Sequence, residues 1–65
     1  MVKNLRKLRM ESGTTQRQLA DLLHVSQQAV NRYEHNDAEP SIRRLILLAD
    51  YFGVSVDELI GHEPV

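Results

Sequence analysis

Gln27, Gln28, Asn31, Arg32 and His35 are the residues of this sequence best equipped for specific chemistry. On a helix advancing about 100° per residue they fall within an arc of roughly 140°, and Ala29, Val30, Tyr33 and Glu34 fill the remainder. A carboxamide sets a donor beside an acceptor and so matches the N6/N7 edge of adenine. The guanidinium fork matches O6/N7 of guanine. A face kept only for solubility more often carries Lys and Glu. These residue types in this pattern point to reading base edges, with an ordinary solvated surface as the plain alternative. No nucleophile–base–orienter set and no phosphate-binding glycine loop accompanies them, so an enzyme is the least supported class.

The elements that must hold this face are legible on both sides of it. The stretch QRQLADLLHVSQQAVNRYE, Gln16 to Glu34, reads as two short helices joined by a tight turn. Thr15 is placed to cap the first, with Gln18 at capping-box spacing. Leu19, Leu22 and Leu23 supply its apolar stripe, and Ala20 leaves room for a crossing helix. His24-Val25 interrupts the pattern, and Ser26 opens the second helix as its N-cap. Val25 and Val30 flank that cap as a hydrophobic staple. His24 stands at a turn position requiring positive φ, a conformation in which His is enriched among non-glycine residues.

Taken together, Gln16, Leu19, Ala20, Leu23, Val25, Val30 and Tyr33-Glu34 resemble the helix-turn-helix of the lambda-repressor/Cro (Xre-type) transcriptional regulators. LRKLRMESG is similar to that family's first helix and closing glycine. PSIRRLILLADYFGVSVDELIG is similar to its fourth and fifth helices. The resemblance covers nearly the whole chain, with several elements in the right order. It implies an all-α, compact five-helix lambda-repressor-like fold with the helix-turn-helix formed by helices 2 and 3. Helix 3, about 27–35, would enter the major groove. Gln27, Gln28 and Arg32 would contact bases, supported by Asn31. Gln16, Arg43 and Arg44 would grip phosphates, assisted by Thr15 and Arg17. It also implies an ion pair between Arg9 and Glu34, and self-association near the fifth helix through Leu47, Tyr51, Val56 and Ile60. Two copies would then read a palindromic operator. The chain departs from the family at Thr14, where an apolar residue is usual, and at His24, where glycine is common. Asp37 and Glu39 stand where a glycine and a basic residue are often found, and their charge repels phosphate.

Composition agrees with one small helical domain spanning residues 1–65. The chain has 65 residues, 42% hydrophobic content and no Cys, which excludes disulfide staples and thiol metal sites. LILLA is the longest apolar run, far short of a membrane span. The charged N-terminus lacks the apolar segment of a signal peptide, so a cytoplasmic location is the default. His24, His35 and His62 have no helical ligand spacing, so no metal and no cofactor is implied. The formal net charge of −1 is unusual for a nucleic-acid binder. Its distribution is uneven. All 8 Lys and Arg lie at or before Arg44, whereas Asp50, Asp57, Glu58 and Glu63 follow without a base. Such a gradient suits one end turned toward phosphate.

The rest of the chain fills in the scaffold. Val2, Leu5 and Leu8 make the buried stripe of helix 1, which stops at Gly13 in a left-handed cap. Lys3, Arg6 and Lys7 lie on its solvated face. Asn36 is suited to end helix 3. Ser41 follows Pro40 and opens helix 4, with Ile42, Leu45, Ile46, Leu48, Ala49 and Phe52 as its core face. Leu47 and Tyr51 project elsewhere. Arg43 and Arg44 sit in its first turn, where the macrodipole disfavours cations. Either a phosphate held at the helix start compensates them, or exposed arginines tolerate a few tenths of a kcal/mol. Gly53 ends helix 4, and Ser55 opens helix 5 with Glu58 at capping-box spacing and Val54/Leu59 as a staple. Val56 and Ile60 are expected to be partly exposed, Gly61 closes the helix, and His62–Val65 reads as a frayed tail.

The function implied is transcriptional repression by occupying an operator, because 65 residues leave no room for a sensor or activation domain. The alternative is a protein-interaction module, such as an antitoxin or a regulator's partner, with secondary DNA affinity. The acidic 37–39 loop and the net charge favour that alternative; the Gln/Asn/Arg face disfavours it.

Overall fold

Five helices follow one another in the computed structural model, which describes residues 2–62: α1 (Leu5–Glu11), α2 (Gln16–Leu23), α3 (Gln27–Glu34), α4 (Ile42–Phe52) and α5 (Val56–Ile60). Among the described residues there is no strand. Each of the last four helices starts at a hydroxyl cap, because the first N–H groups of a helix have no intrahelical partner. Thr15, Ser26, Ser41 and Ser55 accept from the backbone N–H three residues on. At Thr15 the box is complete, with Gln18 Oε1 accepting from the Thr15 N–H at 2.8 Å. At Ser55 only the hydroxyl half is formed, to the Glu58 N–H at 3.0 Å. Chain reversals use left-handed residues: His24 (φ 56), Asn36 (φ 60) and glycines 13, 53 and 61.

The core gathers one stripe from every helix: Val2, Leu5, Leu19, Ala20, Leu23, Val30, Tyr33, Leu45, Leu48, Ala49 and Leu59. Leu8, Leu22, Val25, Phe52, Val54, Val56 and Ile60 are half-buried against it. Burying a large aliphatic side chain is worth about 1.5–3 kcal/mol, so this cluster is the main stabilising term of so short a chain. Two residues assigned to it by periodicity do not belong. Ile42 is 77% exposed and Ile46 48%. Helix α4 is instead rotated so that Leu45, Leu48, Ala49 and Phe52, at the i, i+3, i+4, i+7 spacing, face inward. Ile42 and Ile46 are one turn apart on the flank beyond that stripe, and Ile42 is also the first residue of the helix.

The chain closes on itself. The Asn4 N–H donates to the Leu59 carbonyl at 3.2 Å, and Asn4 Nδ2 donates to the Glu58 carbonyl at 2.6 Å. The Asn4 side chain therefore joins α5 and does not cap its own helix. Lys3 lies over Gly61, its Cβ 3.1 Å from where a Cβ on that glycine would be. At the same C-terminal end of α5 the His62 N–H donates to the Asp57 carbonyl at 2.9 Å. The remainder of the tail, 63–65, lies outside the described residues.

Candidate nucleic-acid interface

Helix α3 is fixed in place before it presents anything. Val30 and Tyr33 anchor it in the core, Ser26 caps its start, and Ala29 packs half-buried alongside. Its last residue, Glu34, turns inward with only 1% of the side chain exposed. A carboxylate so placed needs several donors. Arg9 Nε donates to Oε2 at 2.5 Å, Arg9 Nη2 to Oε1 at 3.2 Å, and Gln16 Nε2 to Oε1 at 3.0 Å. Arg9 Nη1 donates in addition to the Thr14 carbonyl at 3.1 Å. Glu34 thus binds α1 and the first residue of α2 to the end of α3, and Arg9 carries the link on to the α1–α2 turn. No buried side-chain polar atom among the described residues lacks a partner.

With its inner side spent on this frame, α3 turns Gln27, Gln28, Asn31, Arg32 and His35 to solvent. His35 Nδ1 lies 2.8 Å from the Asn31 carbonyl, one turn back. Gln16, Gln27, Gln28 and Asn31 together line a shallow depression of about 250 Å³ where the start of α2 meets the start of α3. The structure therefore brings three of the four residues expected to read bases beside one expected to hold phosphate. Arg32 is exposed on the same helix but does not line the depression. Thr15 and Arg17 flank Gln16 and are exposed.

The two arginines at the start of α4 differ. Arg43 is exposed, while Arg44 is half-buried with Nε donating to the Leu23 carbonyl at 3.4 Å. That carbonyl belongs to the last turn of α2, a partly negative end with unsatisfied acceptors. The cation in an unfavourable first turn is thus compensated from within the protein. Arg43, Arg44, Ser41, His24, Leu23 and Leu47 line a second depression of about 490 Å³ between that end of α2 and the start of α4. Leu47 and Tyr51 are exposed on α4, and Val56 and Ile60 are half-buried. Sequence reasoning missed the inward bonds of Gln16 and Arg44. It also missed the role of Thr14, which is buried with Oγ1 at 2.8 Å from Ser12 Oγ and 3.0 Å from Tyr51 Oη. An isolated Thr at a usually apolar position was the available signal, but its partner lies 37 residues away.

Among the described residues no helix is long and apolar enough to cross a membrane, and no three His, Asp or Glu are grouped to hold a metal. A capped α2, a left-handed turn and a buried-ended α3 with an amide- and guanidinium-bearing outer face define a helix-turn-helix unit. Comparison with known proteins agrees: the helix-turn-helix family model matches residues 5–59. The chain belongs to this lambda-repressor-like, Xre-type family of transcriptional regulators, a non-enzymatic one. Among its relatives, the SPbeta prophage-derived HTH-type transcriptional regulator YonR of Bacillus subtilis is 38% identical over 86% of this chain and 52% of its own. The HTH-type transcriptional activator BcrR of Enterococcus faecalis is 34% identical over 94% of this chain and 30% of its own. A crystal structure of a transcriptional regulator from Listeria innocua superimposes with a TM-score of 0.90 at 40% identity, covering 95% of this chain and 58% of that one. The chain thus spans about a third to just over half of the length of these relatives.

Proposed function

We propose that residues 1–65 form one DNA-binding domain that recognises a specific duplex sequence by inserting α3 in the major groove. Gln27, Gln28 and Arg32 read base edges with Asn31 in support, while Thr15, Gln16, Arg17, Arg43 and Arg44 engage phosphates. The observation that carries this reading is the outer side of α3. Its bidentate side chains are all exposed, yet the helix beneath them is locked by core packing and by Glu34. Placing such side chains on a rigid element is what selective recognition requires. Two copies pack through Leu47, Tyr51, Val56 and Ile60 and read half-sites about one helical turn apart in a palindromic operator. Occupancy of that operator in the cytoplasm excludes polymerase, which is repression. Relatives carry both signs, the CTXphi transcriptional repressor RstR of Vibrio cholerae (36% identical over 47 residues) and the activator BcrR, so repression rests here on operator occupancy alone.

A second reading keeps the fold as a protein-interaction module, an antitoxin or the partner of another regulator. It is favoured by Asp37 and Glu39 beside α3 and by the exposed Ile42, Ile46, Leu47 and Tyr51 of α4. Selection of bound sequences from a random duplex pool, followed by a salt titration, separates the two. Enrichment of a two-fold symmetric sequence with affinity falling steeply in salt is the outcome expected here. No enriched sequence and a shallow salt dependence would leave the interaction module standing instead.

A further inference from the structure

The turn between α1 and α2, residues 12–15, is held from three sides. From α1, Arg9 Nη1 donates to the Thr14 carbonyl and the Arg9 carbonyl accepts from the Thr14 N–H at 3.0 Å. From α2, Gln18 closes the capping box on Thr15. From α4, a single hydroxyl reaches in: Tyr51 Oη, 3.0 Å from Thr14 Oγ1. Tyr51 is 49% exposed, with its ring edge-on to Phe52 at 5.1 Å, yet its polar tip is directed at a buried threonine. Every polar group of Thr14 is thereby bonded: N–H, carbonyl and hydroxyl.

We propose that Tyr51 is a positioning residue for the phosphate-facing start of α2: through Thr14 its hydroxyl fixes the turn from which Thr15 and Gln16 emerge. A bond chain runs from α4 to the interface, from Tyr51 Oη to Thr14, from Thr14 to Arg9, from Arg9 to Glu34, and from Glu34 to Gln16. Gln16 lines the same depression as Gln27, Gln28 and Asn31. Loss of the hydroxyl leaves the Thr14 hydroxyl with Ser12 alone and frees the turn on its α4 side. The effect reaches DNA through phosphate contacts, so it does not depend on base sequence. That last step rests on the DNA-binding function proposed above.

Tyr51→Phe keeps the aromatic ring and removes only the hydroxyl. Amide hydrogen exchange of the free protein and duplex titrations, both at a temperature of full helicity, test the proposal. Exchange at Thr14 and Thr15 is expected to accelerate several-fold while Val30 and Leu48 keep their protection. Affinity for selected and random duplexes is expected to fall by the same factor, roughly 2- to 10-fold, the span of one net hydrogen bond. Thr14→Ser, which retains the hydroxyl, should show neither the accelerated exchange nor the weaker binding. The double variant Thr14→Val with Tyr51→Phe should fall no further than either single change. Acceleration spread evenly over all helices, additive single effects, or unchanged affinity for both duplexes would overturn the proposal. Should the unaltered protein bind no duplex, the function proposed above fails, and the exchange pattern still decides the positioning role.

Discussion

Replacing Glu34 by Ala tests the frame beneath α3 most directly. The carboxylate is 1% exposed and accepts from Arg9 twice and from Gln16 once, so its removal strands two donors-bearing side chains at once. Cutting one partner of a buried pair costs about 3–5 kcal/mol, chiefly because the other charge stays desolvated. Arg9 retains 16% exposure and the Thr14 carbonyl, which places the expected loss at the lower end, near 3 kcal/mol. A chain of this size has a total stability of roughly 3–10 kcal/mol, so the variant stands close to unfolding. At about 4–8 °C per kcal/mol for a small domain, the melting temperature should drop by roughly 12–24 °C. Thermal denaturation followed by circular dichroism measures it, repeated at 1 M salt. A buried pair resists screening, so the loss should persist there, whereas a surface pair worth about 0.2–1 kcal/mol would be masked. The double variant Arg9→Met with Glu34→Leu should recover most of the loss, since an apolar pair carries no desolvation cost. A drop below about 5 °C, or one that vanishes in high salt, would refute the reasoning.

Arg32→Ala should cost about 1–3 kcal/mol on the selected duplex, relax one base position and change random-duplex binding little, as read by competition titration. Arg43→Ala should weaken both duplexes alike and reduce the salt slope by about one; equal behaviour of the two variants would abolish the division between base and phosphate contacts. His24→Gly should raise stability by about 0.5–1 kcal/mol in urea unfolding, because relief at φ 56 exceeds the entropy glycine adds to the unfolded chain. Leu47→Glu should shift sedimentation toward monomer and weaken a palindromic duplex more than a half-site, with helicity intact.

Helix boundaries were legible because their signals are local. Thr15, Ser26, Ser41 and Ser55 mark starts within one turn of the bonds they make, and His24 and Asn36 occupy left-handed positions that their side chains tolerate. Register was legible only where one stripe is apolar. In α4 Ile42, Leu45, Ile46, Leu47, Leu48 and Ala49 spread around most of the circumference, so periodicity cannot choose which of them face inward. The choice falls to packing against α2 and α5, and it leaves Ile42 and Ile46 outside. At the candidate interface, the outer residues of α3 follow from helical spacing alone. The inward turn of the Gln16 amide, the Arg44 bond to Leu23 and the Thr14–Tyr51 hydroxyl contact link residues 18 to 37 positions apart, and no local pattern encodes such partners.

The stitch between Asn4 and the Glu58–Leu59 carbonyls also orders events during synthesis. Val2 and Leu5 leave the ribosome long before Leu59, yet all three end in the same fully buried cluster. Helices α2 and α3 can pair as soon as both have emerged, since their contact spans only a short loop. The first residues must wait, solvated, until the fifth helix arrives to cover them. A nascent chain arrested before Ser55 would therefore display α3 on an unfinished core.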